Sequence, residues 1–161
     1  TISKSKYMDG LQCHKLLWYD YNRKQDFPDP DRTALARFEA GHLVGKYAKE
    51  IFPDGIEVAS GVLDFEAVLI ASRDAVLLRK PLFEPAFQFR GAFARADILV
   101  PAENGKWDLI EVKSTSKVKA HYYDDIAFQK YVFTGAGIDV RKCFLMHLNG
   151  GYVKRGQINP G

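Results

Sequence analysis

The chain has 161 residues, 47% of them apolar and 27% charged, with a formal net charge of +3. That length suits one compact domain with a real core, and so small a positive charge permits a nucleic-acid partner without arguing for one. No apolar run reaches spanning length, no basic-apolar leader is present, and two cysteines (Cys13 and Cys143) are too few for a disulfide framework, so a soluble, cytoplasmic chain in a reducing compartment, with no membrane partner, is expected.

Residues 3–22 read as one helix, capped by Ser3 or Ser5, with Tyr7, Leu11, Leu17, Trp18 and Tyr21 at roughly helical spacing. Lys4, Lys6, His14, Lys15, Arg23 and Lys24 make this end basic, which suits either a solvated face around a core stripe or a phosphate-contacting surface. The PDPD run ending at Asp31 breaks the chain. A second helix is expected over residues 31–52, capped by Asp31, with Leu35, Phe38, Leu43, Tyr47, Ala48 and Ile51 turned inward. Residues 56–59 suit a short edge strand and residues 63–72 a third helix. Residues 81–90 alternate as a half-buried strand, Phe83, Phe87 and Phe89 on one side and Glu84, Gln88 and Arg90 on the other. The whole reads as a single domain, with a helical part at about residues 1–55 and a sheet core at about 56–150.

Residues 91–113 carry the chemistry. ADILV and WDLIEV are apolar runs of strand length, and Asn104-Gly105 between them is a hairpin signal. Asp97 and Glu111 are carboxylates set among apolar neighbours, and Lys113 follows Glu111 by one strand period, so both point to one face. Charges in such positions are costly unless paired or metal-bound. A two-residue turn at Asn104-Gly105 would set Asp97 opposite Val112. A three-residue turn over Glu103, Asn104 and Gly105 would set it opposite Glu111, so a shared site requires the odd loop. Asp108 is expected to face away, and Glu84 is either a third acid or a partner for Arg95 or Arg90. After a polar, basic stretch a helix runs to about residue 135, and residues 141–148 read as a further strand. A helix between two strands is a crossover, which permits a parallel pair inside a mixed sheet and an α/β/α layering.

Asp97 followed by a hairpin and Glu111-Val112-Lys113 resembles the PD-(D/E)XK nuclease superfamily. SKSKYMDGLQC, ending at Cys13, and Gln129 on the following helix are similar to the RecB-type branch that contains the CRISPR-associated exonucleases with iron–sulfur clusters. That branch has Gln-x-x-x-Tyr; here Phe133 takes the tyrosine position and Tyr131 stands nearby. The branch's early Gly-x-x-x-His, whose His is a metal ligand, is also altered: Gly41 is followed at that offset by Gly45, with His42 on the same helix as the candidate metal ligand instead. The resemblance implies a restriction-endonuclease-like α/β/α core, a central mixed β-sheet flanked by helices. It implies a metal-dependent DNA nuclease, exonuclease-like, acting on single-stranded DNA or duplex ends. It also implies catalytic Asp97, Glu111, Lys113 and Gln129.

Asp97, Glu111 and the Val112 backbone carbonyl, with water, would suit Mg²⁺ or Mn²⁺. Lys117, Lys119 and Tyr131 are candidate nucleic-acid contacts; the stretch around Lys117 equally suits an exposed loop. Cys13 would serve an iron–sulfur cluster only with C-terminal cysteines supplied by a longer chain, and is otherwise a small buried hydrophobe; no complete cluster is expected here. The alternatives are a catalytically inactive nucleic-acid-binding module of the same fold, and a structural domain whose acids only form cross-strand bridges.

Overall fold

The computed structural model describes residues 1–58, 64–153, 156 and 158. A short strand β1 (Ile2–Ser3) leads into α1 (Lys4–Gln12), capped by the Ser3 hydroxyl, which accepts from Lys6 N at 3.3 Å. The single helix expected over residues 3–22 is in fact two. Cys13 takes an extended conformation (φ −164°) and α2 (His14–Asn22) folds back, so that a Cβ on Gly10 would stand 3.0 Å from Leu17 Cδ2. The close approach that Gly10 permits is what the break accommodates. Cys13 itself is exposed rather than buried.

Asp31 caps α3 (Arg32–Glu50), its carboxylate accepting from Ala34 N at 2.7 Å. The inward stripe expected on this helix is largely absent: Leu35, Phe38, Leu43 and Ile51 are exposed, Tyr47 is half-buried and Ala48 alone of the set is buried. Only the C-terminal half of α3 packs on the sheet, so among the described residues nothing covers the apolar residues of its first turns. Next come β2 (Ile56–Glu57) and α4 (Phe65–Leu77); Ala59 and Leu63, which the sequence assigns to a strand and a helix, lie outside the described residues.

The strand expected over residues 81–90 is broken into β3 (Leu82–Phe83) and β4 (Ala86–Phe89), and it returns as β5 (Ala92–Arg95) and β6 (Ile98–Pro101). Leu82 pairs with Leu99 and Ala86 with Arg95, one unbroken antiparallel register. At its midpoint Glu84 is left-handed (φ 58°) and Pro85 has no N–H to donate; Glu84 N bonds Asp97 O and Ala96 N bonds Pro85 O, both at 3.0 Å. The bend sends the two halves of the hairpin into different sheets. The face expected to hold Phe83 and Phe87 together is therefore split, Phe83 packing with Ala48 and Phe87 with α5 (His121–Gly135).

The hairpin continues into β7 (Trp107–Lys113), and α5 crosses to β8 (Val140–His147), which runs parallel to β7. Among the described residues this makes a mixed α/β protein with five α-helices and two mixed sheets, ordered β1-β5-β4 and β2-β3-β6-β7-β8. No helix among them is long and apolar enough to cross a membrane. Strand alternation divides the larger sheet: Leu82, Leu99 and Leu109 face the α5 residues Ile126, Val132 and Phe133, while Ile98 and Ile110 face Ala48 of α3.

The β6–β7 turn has the odd loop. Ala102 N bonds Lys106 O at 2.9 Å around Glu103, Asn104 and Gly105; Asn104 (φ 55°) and Gly105 (φ 74°) are left-handed. Ile98 thus pairs with Ile110, and one step further the register sets Asp97 opposite Glu111. Arg79 clamps the turn, donating to the carbonyls of Gly105, Ala102 and Lys106 at 2.9 to 3.0 Å. Since a Cβ strains the left-handed conformation, Gly105→Ala should destabilise the protein by about 1 to 2 kcal/mol, whereas Asn104→Gly should be nearly neutral. Urea unfolding midpoints of the two variants check this.

Candidate active site

Glu111 is the most buried of the charged side chains here, 3% exposed, because β7 is an interior strand of its sheet and α5 covers that face. Both of its oxygens are satisfied. Lys4 Nζ lies 3.0 Å from Oε1 and 3.1 Å from Oε2, Lys113 Nζ is 2.7 Å from Oε1, and Gln129 Nε2 donates to Oε2 at 2.7 Å. Asp125, one helical turn before Gln129 on α5, completes the group: it accepts from Lys113 at 2.5 Å and Gln129 at 2.9 Å, and pairs with Lys4 at 3.4 Å. Gln129 is fully buried, and the two acids dictate that its NH₂ faces them; its Oε1 has no hydrogen-bond partner among the described residues.

Asp97 sits differently. It lies in the bend just before β6, and its Oδ2 accepts from Val112 N at 2.6 Å, so the carboxylate stands in for the ladder partner that the bend removes. Burial, with the negative charge of Glu111 added, raises its pKa from 3.8 to about 7, against the opposing pull of Lys4, Val112 N–H and Lys113. For Asp125 burial acts upward too, but the ammonium groups of Lys4 and Lys113 outweigh it and hold the carboxyl below its ordinary value. Burial works to lower the pKa of Lys113 and of Lys4, yet their acidic partners leave both raised. Three carboxylates against two ammonium groups leave a negative excess, and Asp97 is where it is felt.

Asp97 and Lys113 open onto a cleft of about 510 Å³. Its far wall is the α3 face bearing Gly41, His42, Gly45, Lys46 and Lys49, and Glu57, Glu84, Val112 and Tyr122 also line it. Lys113 therefore joins the buried acids to an open, polar surface, with the Tyr122 ring 5.0 Å from its ammonium. Glu84 meets Lys49 at 3.4 Å and Arg95 at 3.7 Å, which makes it a structural partner that also faces the cleft. Asp108 turns away to Arg141. Lys117 and Lys119 are exposed on the loop beyond Lys113, and Tyr131 packs edge-on against Phe89 at 5.4 Å, outside the cleft lining. Cys143 is half-buried on β8 against the larger core.

Sequence reading missed Lys4 and Asp125. Asp125 had a signal, its helical spacing from Gln129. Lys4 was counted with the basic N-terminal face and is instead turned inward, where nothing local in the sequence indicates it. Compared with known proteins, the chain matches no family model, no curated protein and no solved structure.

Two acids and a peptide carbonyl beside a polar cleft are donors that suit a hard cation keeping part of its water shell. Among the described residues no group of three or more His, Cys, Asp or Glu stands ready to hold a metal.

The raised Asp97 pKa has a stability consequence. A carboxyl that titrates near 3.8 unfolded and about 7 folded binds its proton more tightly in the folded state, so stability is lost as pH rises through that window. Asp97→Asn keeps an acceptor for Val112 N–H and removes the charge. Without added metal, the parent's urea midpoint should fall between pH 5 and pH 8, and the Asp97→Asn midpoint should fall less.

Proposed function

We propose that this chain is a metal-dependent DNA nuclease with a restriction-endonuclease-like α/β/α core, working in the cytoplasm and hydrolysing phosphodiester bonds in an exonuclease-like way on single-stranded DNA or duplex ends. The observation that carries the reading is the grouping of Asp97, Glu111 and Lys113 by the odd hairpin loop, with Asp97 and Lys113 lining a polar cleft and Glu111 behind Lys113. Asp97 and Glu111, with the Val112 carbonyl, are the residues to hold Mg²⁺ or Mn²⁺. Bound there, the ion supplies Lewis-acid polarisation of the scissile phosphate.

The chain's own residues do the rest. The Lys113 ammonium, kept charged by Glu111 and Asp125, orients the attacking water or neutralises charge that develops on the phosphate. Asp125 and Gln129 hold Lys113 and Glu111 in register from the α5 side. Lys46, Lys49 and His42 on the opposite wall suit backbone phosphates, and Lys117 and Lys119 extend the basic path past the cleft. With Cys13 and Cys143 the only cysteines, an iron–sulfur cluster is not part of the proposal.

One observation favours a second reading. Glu111 is buried and saturated by protein donors, as it would be in a nucleic-acid-binding module that has lost catalysis. Cleavage of labelled single- and double-stranded DNA in Mn²⁺, Mg²⁺ or EDTA decides between the two. Lys113→Ala should lose about two to three decades in cleavage rate, roughly 3 to 4 kcal/mol, with DNA affinity nearly kept. Glu111→Ala should lose cleavage and metal binding together, while Lys117→Ala should only weaken binding and reduce its salt dependence. A Lys113→Ala protein that cuts as fast as the parent, or a parent that binds DNA and never cuts it, hands the argument to the binding module.

A further inference from the structure

An ionised carboxylate offers about four lone-pair positions. At Glu111 all of them are taken: two by Lys4, one by Lys113 and one by Gln129. Any cation that ligates Glu111 has to displace one of these donors. Gln129 is fully buried and bonded to Asp125 as well, and Lys113 is held at shorter distances to Glu111 and Asp125. Lys4 has the longest contacts with Glu111, at 3.0 and 3.1 Å. Its ammonium also lies 3.4 Å from Asp125 Oδ1, so it has a second carboxylate to turn to.

We propose that Lys4 is a resident counter-cation of this site: its ammonium chelates Glu111 while no metal is bound, and gives way to a divalent cation by shifting onto Asp125. The proposal rests on the reading of Asp97 and Glu111 as a metal-binding pair. Lys4 opens α1, which β1 anchors by parallel pairing with β5, so the base of the side chain is fixed and its rotatable stem sets which of the two carboxylates the ammonium favours. The shift leaves no charge unpaired. The ammonium keeps one carboxylate, and Glu111 exchanges a monovalent partner for a divalent one. The same contact makes Lys4 a competitor that lowers the affinity of the site for metal.

Titration calorimetry with Mn²⁺ alone tests this on the parent, Lys4→Met, Lys4→Arg and, as a control, Lys6→Met, whose native lysine pairs with Asp20 instead. Removing the competing charge should tighten Mn²⁺ binding by about tenfold or more in Lys4→Met. Lys4→Arg, which keeps the charge, should stay at or below the parent affinity, and Lys6→Met should match the parent. A Lys4→Met protein that binds Mn²⁺ no more tightly than a binding-competent parent overturns the proposal and leaves the nuclease reading standing. If neither protein binds Mn²⁺, the metal-site reading itself falls, and this proposal with it. Should Lys4→Met fail to fold, the parent still answers: amine labelling of Lys4, followed by mass spectrometry, should speed up several-fold when Mn²⁺ is added, and an unchanged rate overturns the shift.

Discussion

A carboxylate on an interior strand, covered by a helix, is the constraint around which this molecule is arranged. Left alone in that position Glu111 would be costly enough to prevent folding or to force its protonation. It is met from three directions: Lys4 on α1 and Lys113 on its own strand neutralise its charge, and Gln129 on α5 donates a hydrogen bond to it. The N-terminal helix is thereby part of the site rather than an appendage to the sheet. Asp125 extends the same logic, since it gives both lysines a second acceptor and spreads the two ammonium charges that would otherwise crowd one carboxylate.

The bend at Glu84 and Asp97 answers a different demand. A straight hairpin would carry Asp97 inside a regular ladder, with its side chain committed to one face. By turning Glu84 left-handed against Asp97, the chain frees the backbone there, and the Asp97 carboxylate takes over the bond to Val112 N–H. One side chain can then close a gap in the sheet and still reach the cleft. The same bend divides the strands between two sheets, which is why a single register is able to serve two packing surfaces.

Much of this was legible in the sequence where the signal is local. The odd loop followed from asking which turn would bring two acids together, and Asn104 and Gly105 are the residues that tolerate its left-handed backbone. The Asp31 cap and the crossover from β7 to β8 were readable for the same reason. What escaped was what depends on distant neighbours. The helical stripe on α3 has the right spacing, but spacing cannot tell that the sheet ends before Leu35 and Phe38 are covered. Alternation over residues 81–90 was sound as a pattern and was overridden by one residue, Glu84, whose backbone conformation no side-chain periodicity encodes. Lys4 looked like surface charge because its acceptor lies on a strand elsewhere in the chain.

The reach of the Lys4–Glu111 contact, 107 residues along the chain, bears on how the protein is born. Contacts so far apart in sequence close late, after the intervening loop entropy has been overcome. During synthesis Lys4 emerges long before Glu111, Asp125 and Gln129 exist, a wait of about 6 to 25 s at ordinary elongation rates. Throughout that interval Lys4 has neither its acidic partners nor the face of α5, and the acids, once made, share Lys113 as their cation until the first helix docks. The cluster is thus a late checkpoint on the nascent chain, assembled only when the first turn of the first helix meets a helix made more than a hundred residues afterwards.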